Sequence, residues 1–290
     1  MSRGNLYSFE KVFVWRVDDN GIAVGQLNPD SLGSPPLTSH ARELYGPITG
    51  TLPNASQVSA TFRGGGRAEG RAAMGLQEIG EGSLNLSQLD ADAMAFLRGS
   101  SVDTTSMTNV EIFARDNTRP SSVQVGMMLI MRYQQRSGAQ AGQNRYVTIV
   151  YPLVEATLSI GNVTQEGGQN PTPATLTFQP SLSTRFPTGV AFGSNQGWYN
   201  NEEFEYILIS EYGFALTAFI GDGTATTYTL AYRPVYNTVT SGLTNQWFAR
   251  DGALLAPSSV NVSTGVVTLA GAGSSGQRHV AFYQTAYLTP

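Results

Sequence analysis

Few side chains in this sequence are of the kinds that do chemistry, and their spacing limits what they can do. Histidine occurs twice in 290 residues, at His40 and His279. Two imidazoles so far apart make no histidine metal site, and a Ser-His-Asp arrangement would need one of them on a rigid scaffold. Both therefore read as surface or contact residues. Cysteine is absent, which removes disulfides, thiolate nucleophiles and cysteine-ligated metals. The acidic cluster Glu202-Glu203-Phe204-Glu205 is the best lead to an enzyme, because glycoside cleavage uses paired carboxylates. No second acidic cluster with aromatic sugar platforms flanks it, so it reads as a charged approach to an edge strand, where charge blocks pairing with other sheets. Trp198-Tyr199 and Trp247-Phe248 could stack on sugars, yet such aromatics are equally at home in a sandwich core.

Two further stretches look chemical and are read otherwise. Asp18-Asp19-Asn20-Gly21 resembles part of a calcium loop but lacks the remaining ligand positions and the closing Glu, which leaves a turn. The glycine run from Gly64 to Arg71 follows a strand but has neither the G-x-G-x-x-G spacing nor a GK[ST], and it opens no helix. A strand edge or wide hairpin fits better than a phosphate cradle. No catalytic, cofactor-binding or metal-binding residue is expected.

The elements that must position these residues are β-strands. Charged residues make up only 13 % of the chain, while 32 glycines and many Ser, Thr, Asn and Gln supply polarity. Helical proteins carry Lys, Glu and Arg on their wet faces, so this mix argues for sheets. The hydrophobic share of 41 % argues against disorder. Lys11 is the single lysine and the net charge is −4, which excludes a phosphate-neutralising basic face. The start shows no signal-peptide pattern, and the longest apolar run, Val125 to Met131, falls far short of a membrane span. Folding in the cytoplasm, without a membrane partner, is the expectation.

Along the chain, Lys11 to Val17 and Ile22 to Leu27 read as a hairpin around the Asp18–Gly21 turn. Asn28 to Ala55, with five prolines, reads as a long loop whose Leu37, Leu44, Tyr45 and Ile48 need a partner surface to bury them. Ser56 to Arg63 and Met74 to Asn85 read as extended. Ser87 to Arg98 has an N-cap, an acidic first turn and a shared apolar face, which predicts a short helix lying on a sheet. Val125 to Tyr133 is apolar on both faces, which predicts a central strand or one covered by another subunit. Beyond Gly197, short strands with turn signals predict a separate β-sandwich of immunoglobulin-like size: Phe204–Ser210, Phe214–Ile220, Thr226–Arg233, Trp247–Arg250, Ser259–Val262, Val266–Leu269 and His279–Thr285.

In this order, VFVWRVDDNGIAVGQL, the proline-bearing loop, SATFRGGGR, GEGSLNLSQLDADAMAFLRG and RYVTIVYPLVEATLSIGNVTQEGGQNPTPATLTFQP resemble the tail tube (major tail) proteins of long-tailed bacteriophages. The remainder, with FIGDGTATTYTLAYRP and GVVTLAG, is similar to β-sandwich modules appended to phage tail and fibre proteins, an addition typical of non-contractile tails. The resemblance implies an all-β protein with one short helix: a tail tube sandwich or barrel domain over 1–197 and an immunoglobulin-like sandwich over 198–290. It implies a virion protein made in the host cytoplasm, without enzymatic activity or cofactor. Hexameric rings would stack into a tube through the long loop, beside tape measure, terminator and tip proteins, and phage DNA would pass without specific binding. A DNA channel should be neutral to acidic, and Glu69, Glu78, Glu81 and Glu155 are the candidate lumen residues. The alternatives are an adhesive, receptor-binding tail protein with a glycan-binding C-terminal sandwich, and an all-β glycan-cleaving enzyme.

Overall fold

The computed structural model describes residues 4–19, 21–24, 42–44, 47–64, 67–86, 97–98, 101–103, 112–114, 123–135, 144–160, 174–183, 186–188, 204–237 and 246–285. They are almost entirely antiparallel β-structure, as the composition predicts. In chain order the strands are β1 (Gly4–Arg16), β2 (Arg42–Leu44), β3 (Pro47–Thr51), β4 (Ala55–Gly64), β5 (Arg67–Ile79) and β6 (Gly82–Leu86). Then come β7 (Ser101–Asp103), β8 (Ile112–Ala114), β9 (Val123–Gln135), β10 (Asn144–Ile160), β11 (Ala174–Pro180) and β12 (Tyr206–Ser210). The C-terminal strands are β13 (Gly213–Ile220), β14 (Thr227–Thr229), β15 (Gln246–Arg250), β16 (Ala253–Leu254), β17 (Ser259–Val260), β18 (Val266–Thr268) and β19 (Arg278–Thr285).

The largest sheet has the order β2-β1-β9-β10-β11-β6-β3. β10 runs for 17 residues, long enough to take two partners end to end on one side: β12 along Tyr146–Val150 and β11 along Val154–Ile160. Between those halves its register with β9 shifts at Tyr151/Val154, where Pro152 has no N–H to give the ladder. The sheet curls until β3 at one end approaches β1 at the other. Gly50 permits that approach, since a Cβ there would lie 3.1 Å from the Phe9 ring and 2.6 Å from Leu84. The enclosed core holds Val12, Val14, Met127, Leu129, Tyr151 and Phe178, with Leu97 buried among them.

A strand shows alternate residues to opposite faces. On β1 and β9, Val12, Val14, Met127 and Leu129 point inward, while Phe13, Trp15, Met128 and Ile130 form the outer face. That outer face is covered by a second sheet, β13-β19-β15-β16, through Phe214, Leu216, Ala218, Val280 and Phe282. Phe214 and Phe282 stack at 4.6 Å, and Phe186 meets Phe282 edge-on at 4.9 Å. The opposite face of the second sheet, with Ala215, Phe219, Ala281 and Tyr283, packs on Leu230, Val260 and Val267 around the third sheet, β14-β18-β17. The second sheet is therefore dry on both sides. β9 is the central strand its composition predicts, and its outer cover comes from the same chain.

Position 198 does not divide the core. β12 lies beyond it yet belongs to the first sheet, and the cluster around Phe186 and Phe282 draws on both sides of it. Arg278 also reaches across to Asp18 at 2.9 Å.

Several local expectations change. The Asp18–Gly21 turn forms, with Gly21 at φ 77° and its N–H donating to the Asp18 carbonyl. The returning strand contributes one bridge, Val17↔Ala23 among the described residues, and β2 and β9 flank β1 instead. The stretch from Asn28 to Ala55 contains β2 and β3 rather than loop throughout; 25–41 lie outside the described residues. Met74 to Asn85 splits into the end of β5 and β6. The helix expected over Ser87 to Arg98 lies outside the described residues except for Leu97 and Arg98.

Candidate functional site: a bare polar sheet face

The outer face of the curled sheet continues past its covered part onto the second half of β10, then β11, β6 and β3. Each of these strands alternates apolar and hydroxyl or amide residues. Ala156, Leu158, Leu176, Phe178, Leu84 and Leu86 point into the core. Glu155, Thr157, Ser159, Thr175, Thr177, Gln179, Ser83, Asn85, Thr49 and Thr51 are half-buried or exposed on the other side. Thr and Ser tolerate an extended, half-wet surface well.

Register lines these side chains up across the strands at the usual spacing of about 4.8 Å. One row is Thr157, Thr177, Ser83 and Thr51; the next is Ser159, Thr175, Asn85 and Thr49. The second row is tied by its own hydrogen bonds. Asn85 Nδ2 donates to Thr49 Oγ1 at 2.8 Å, and Thr175 Oγ1 donates to Asn85 Oδ1 at 3.1 Å. Ser159 Oγ donates to the Thr175 carbonyl at 3.2 Å. At one end Glu155 pairs in register with Gln179, whose Nε2 donates to the Ile79 carbonyl at 3.2 Å. Cross-strand pairs of this kind stabilise the sheet by a few tenths of a kcal/mol to about 1 kcal/mol each.

Among the described residues of these four strand segments, Glu155 is the one acidic side chain on the face. Glu81, also exposed, immediately precedes β6, two residues before Ser83. The structure thus brings two of the four acidic candidates to one end of one polar surface. Glu69 and Glu78 lie in β5, and their side chains fall outside the described residues. Elsewhere, Lys11 is tied to Glu43 at 2.7 Å and Arg132 to Glu10 at 2.9 Å.

The loop candidates divide differently. Leu44 is 2 % exposed in the chain's own core, in register with Val12. Its apolar surface is already spent, which corrects the expectation that it needs a partner surface. Ile48 lies in β3 with its side chain outside the described residues, as are Leu37 and Tyr45 altogether.

The chemical leads resolve into structure. Tyr151 donates its phenol proton to Glu205 Oε2 at 2.8 Å. Burial foremost, then the Glu205 carboxylate, pushes the Tyr151 hydroxyl far above its ordinary value. Glu205 therefore serves as an acceptor for a core phenol, while Glu202 and Glu203 lie outside the described residues. Asp18 is held by turn and ion-pair contacts, accepting from Ile22 N–H at 3.0 Å and from Arg278. The glycine run is the end of the antiparallel β4–β5 pair, closing at Gly64↔Arg67. His279 is buried in β19, Phe248 is buried in β15, and Trp198, Tyr199 and His40 lie outside the described residues. Among the described residues no group of three His, Cys, Asp or Glu could hold a metal ion.

In the sequence the carboxylates stand out and the hydroxyl rows do not. The signal was available as short period-2 runs, Ala-Thr-Leu-Thr-Phe-Gln at 174–179 and Ser-Leu-Asn-Leu at 83–86. What it lacked was register, which alone shows that four such runs share one face. Compared with known proteins, the chain matches no family model and no curated protein sequence.

Proposed function

We propose that this chain is a structural subunit of a tubular assembly, a tail tube protein of a long-tailed bacteriophage, whose bare polar face lines a DNA channel. The observation that carries this reading is the hydroxyl and amide surface on β10, β11, β6 and β3, without a cation among its described residues. A wall that passes DNA must not hold it, and each phosphate neutralised by a cation strengthens binding through counterion release. Hydroxyl groups spread over a sheet offer DNA no net charge, and Glu155 with Glu81 adds a weak repulsive field.

The placement of the cover supports the same reading. Because the sheet curls until β3 meets β1, β11 and β6 face away from the side where β1 and β9 carry the C-terminal sheet. One side of the subunit is then thick and outward, the other thin, wet and inward. Assembly has a matching feature: among the described residues β12 pairs with β10 alone, and its Ile207 and Ile209 are 57 % and 53 % exposed. An apolar strand edge invites pairing with another chain, and ring closure satisfies it without runaway aggregation. The proposed rings are hexameric and stack through the loop bearing Leu37, Tyr45 and Ile48. Tape measure, terminator and tip proteins would be the partners, within the virion tail, and no reaction is involved.

Electron microscopy of the purified full chain at high concentration tests this reading directly. Hollow tubes or stacked rings are expected; monomers or trimers at every concentration would refute it. Thr177→Lys then tests the wall. It should leave tubes intact, give them a salt-sensitive affinity for duplex DNA and slow DNA delivery in complemented phage. Intact tubes with unchanged DNA affinity would place β11 outside the lumen.

A further inference from the structure

His279 takes no part in the proposed conduit, yet its surroundings are unusual. The imidazole is 5 % exposed, and neither ring nitrogen has a hydrogen-bond partner among the described residues. Its ring lies against Tyr228, centroids 5.2 Å apart. Nε2 abuts two glycines: a Cβ at Gly273 would sit 2.5 Å from it and one at Gly221 3.4 Å. Those glycines belong to a strap closed by its own bonds and by Arg250 Nη2, which donates to the Gly271 carbonyl at 3.0 Å. Gly221 N–H donates to the Gln277 carbonyl and Gly276 N–H to the Gly221 carbonyl, both at 2.8 Å. Ser274 N–H donates to Gln277 Oε1 at 2.7 Å. His279 also lines an apolar pocket with Phe219, Tyr228, Phe248, Val267 and Leu269.

The charged neighbours offer the ring no acceptor. Arg250 is its cross-strand partner on β15. Asp251 accepts from Arg278 N–H at 2.8 Å, and the Arg278 guanidinium is paired with Asp18. Asp222, on the turn after β13, is occupied by Thr224 and Ala225 N–H, and the Tyr228 phenol donates to the Ala225 carbonyl.

We propose that the strap formed by 221–223 and 271–277 is an acid-released closure, in which a proton on His279 opens the turn and uncovers the apolar pocket. An imidazolium in the closed form has lost its hydration, has no acceptor and faces the Arg250 guanidinium. Burial first and Arg250 second hold the imidazole below its ordinary value, with Asp251 opposing them. Such a group takes its proton more readily once the strap opens. Closure is therefore complete above the ordinary histidine value near 6.5 and weakens as pH falls below it, towards the lower value of the closed form.

Hydrogen exchange of the full chain, read on peptides covering 221–224 and 270–277 and corrected for intrinsic rates, tests the proposal. Between about pH 7.5 and about pH 5.5 the opening constant should rise by up to about tenfold. His279→Phe keeps the ring packing and removes the proton, so that rise should vanish. No rise in the natural chain, or an unchanged rise in the variant, would overturn the proposal. Should the variant fail to fold, titration of the His279 imidazole by NMR in the natural chain decides the matter. A midpoint below about 6.5 is expected, and one at or above it refutes the closure.

Discussion

The two halves of β10 share one backbone and one inner face, yet their outer faces have opposite fates. Along the first half, Tyr146, Thr148 and Val150 lie buried beneath the C-terminal sheet. Along the second, Glu155, Thr157 and Ser159 stand in water. Both halves feed the same core through Val147, Ile149, Val154 and Leu158. The difference teaches that a dry outer face is a demand for a cover, met here within the chain, whereas a hydroxyl-bearing outer face needs none and is free for function.

The strongest way to break that comparison is to remove the cover. A chain ending at Gly197 would lose β12 and expose Phe13, Trp15, Met128 and Ile130, each held by about 1.5–3 kcal/mol of burial. Their sum rivals the whole stability of an ordinary domain, about 5–15 kcal/mol. Such a chain is expected to be insoluble or to lack a cooperative melt; a soluble product with a sharp thermal transition would show that 1–197 folds alone.

Single substitutions sharpen the contrast. Trp15→Ala, on the covered side, should cost about 3–5 kcal/mol in denaturant unfolding. Thr157→Ala, on the bare side, should stay within about 0.5 kcal/mol. Similar costs at the two sites would mean that the polar face is buried in solution. Gly126→Ala probes packing from the other direction, because a Cβ there would fall inside the Trp15 indole. A loss of about 1–3 kcal/mol is expected from overpacking, and an unchanged melting temperature would show slack beneath the cover.

The smallest effect belongs to the tie between the layers. Arg278→Gln removes the 2.9 Å pair with Asp18, whose side chains are 35 % and 26 % exposed. A partly exposed pair contributes about 0.2–1 kcal/mol, less in high salt. A larger, salt-independent loss would mean that the Arg278 side chain contributes through the packing of its apolar stem as well as through the pair.

Strand positions were legible where composition and turns agreed. Phe214–Ile220 and His279–Thr285 fall within a residue of β13 and β19, because aromatic and β-branched runs bounded by turn residues have one good local solution. The tetrad Asp18–Gly21 was legible for the same reason: Gly21 supplies the positive φ that the turn requires. Leu44 was misjudged because proline spacing suggests loop, and nothing local reveals that three residues can pair with β1 at Val12–Val14. The acidic cluster reads as a charged approach to a strand, and Glu205 does stand directly before β12; its bond to the Tyr151 hydroxyl is decided by the fold alone.

By itself the sequence determined that this is an all-β chain of low charge, with one lysine, no cysteine and one strand whose two faces both had to be covered. Those follow from composition and from period-2 alternation, which are local properties of the chain. The tertiary structure alone decided which outer faces are covered. It placed the C-terminal sheet over Phe13 and Trp15, buried Leu44, left Ile207 and Ile209 of β12 exposed, and gathered Thr49, Ser83, Thr157 and Thr175 into one surface. Register and layer order arise from contacts between residues far apart in sequence, where the hydrophobic demand of one segment is met by whichever distant segment the topology brings to it.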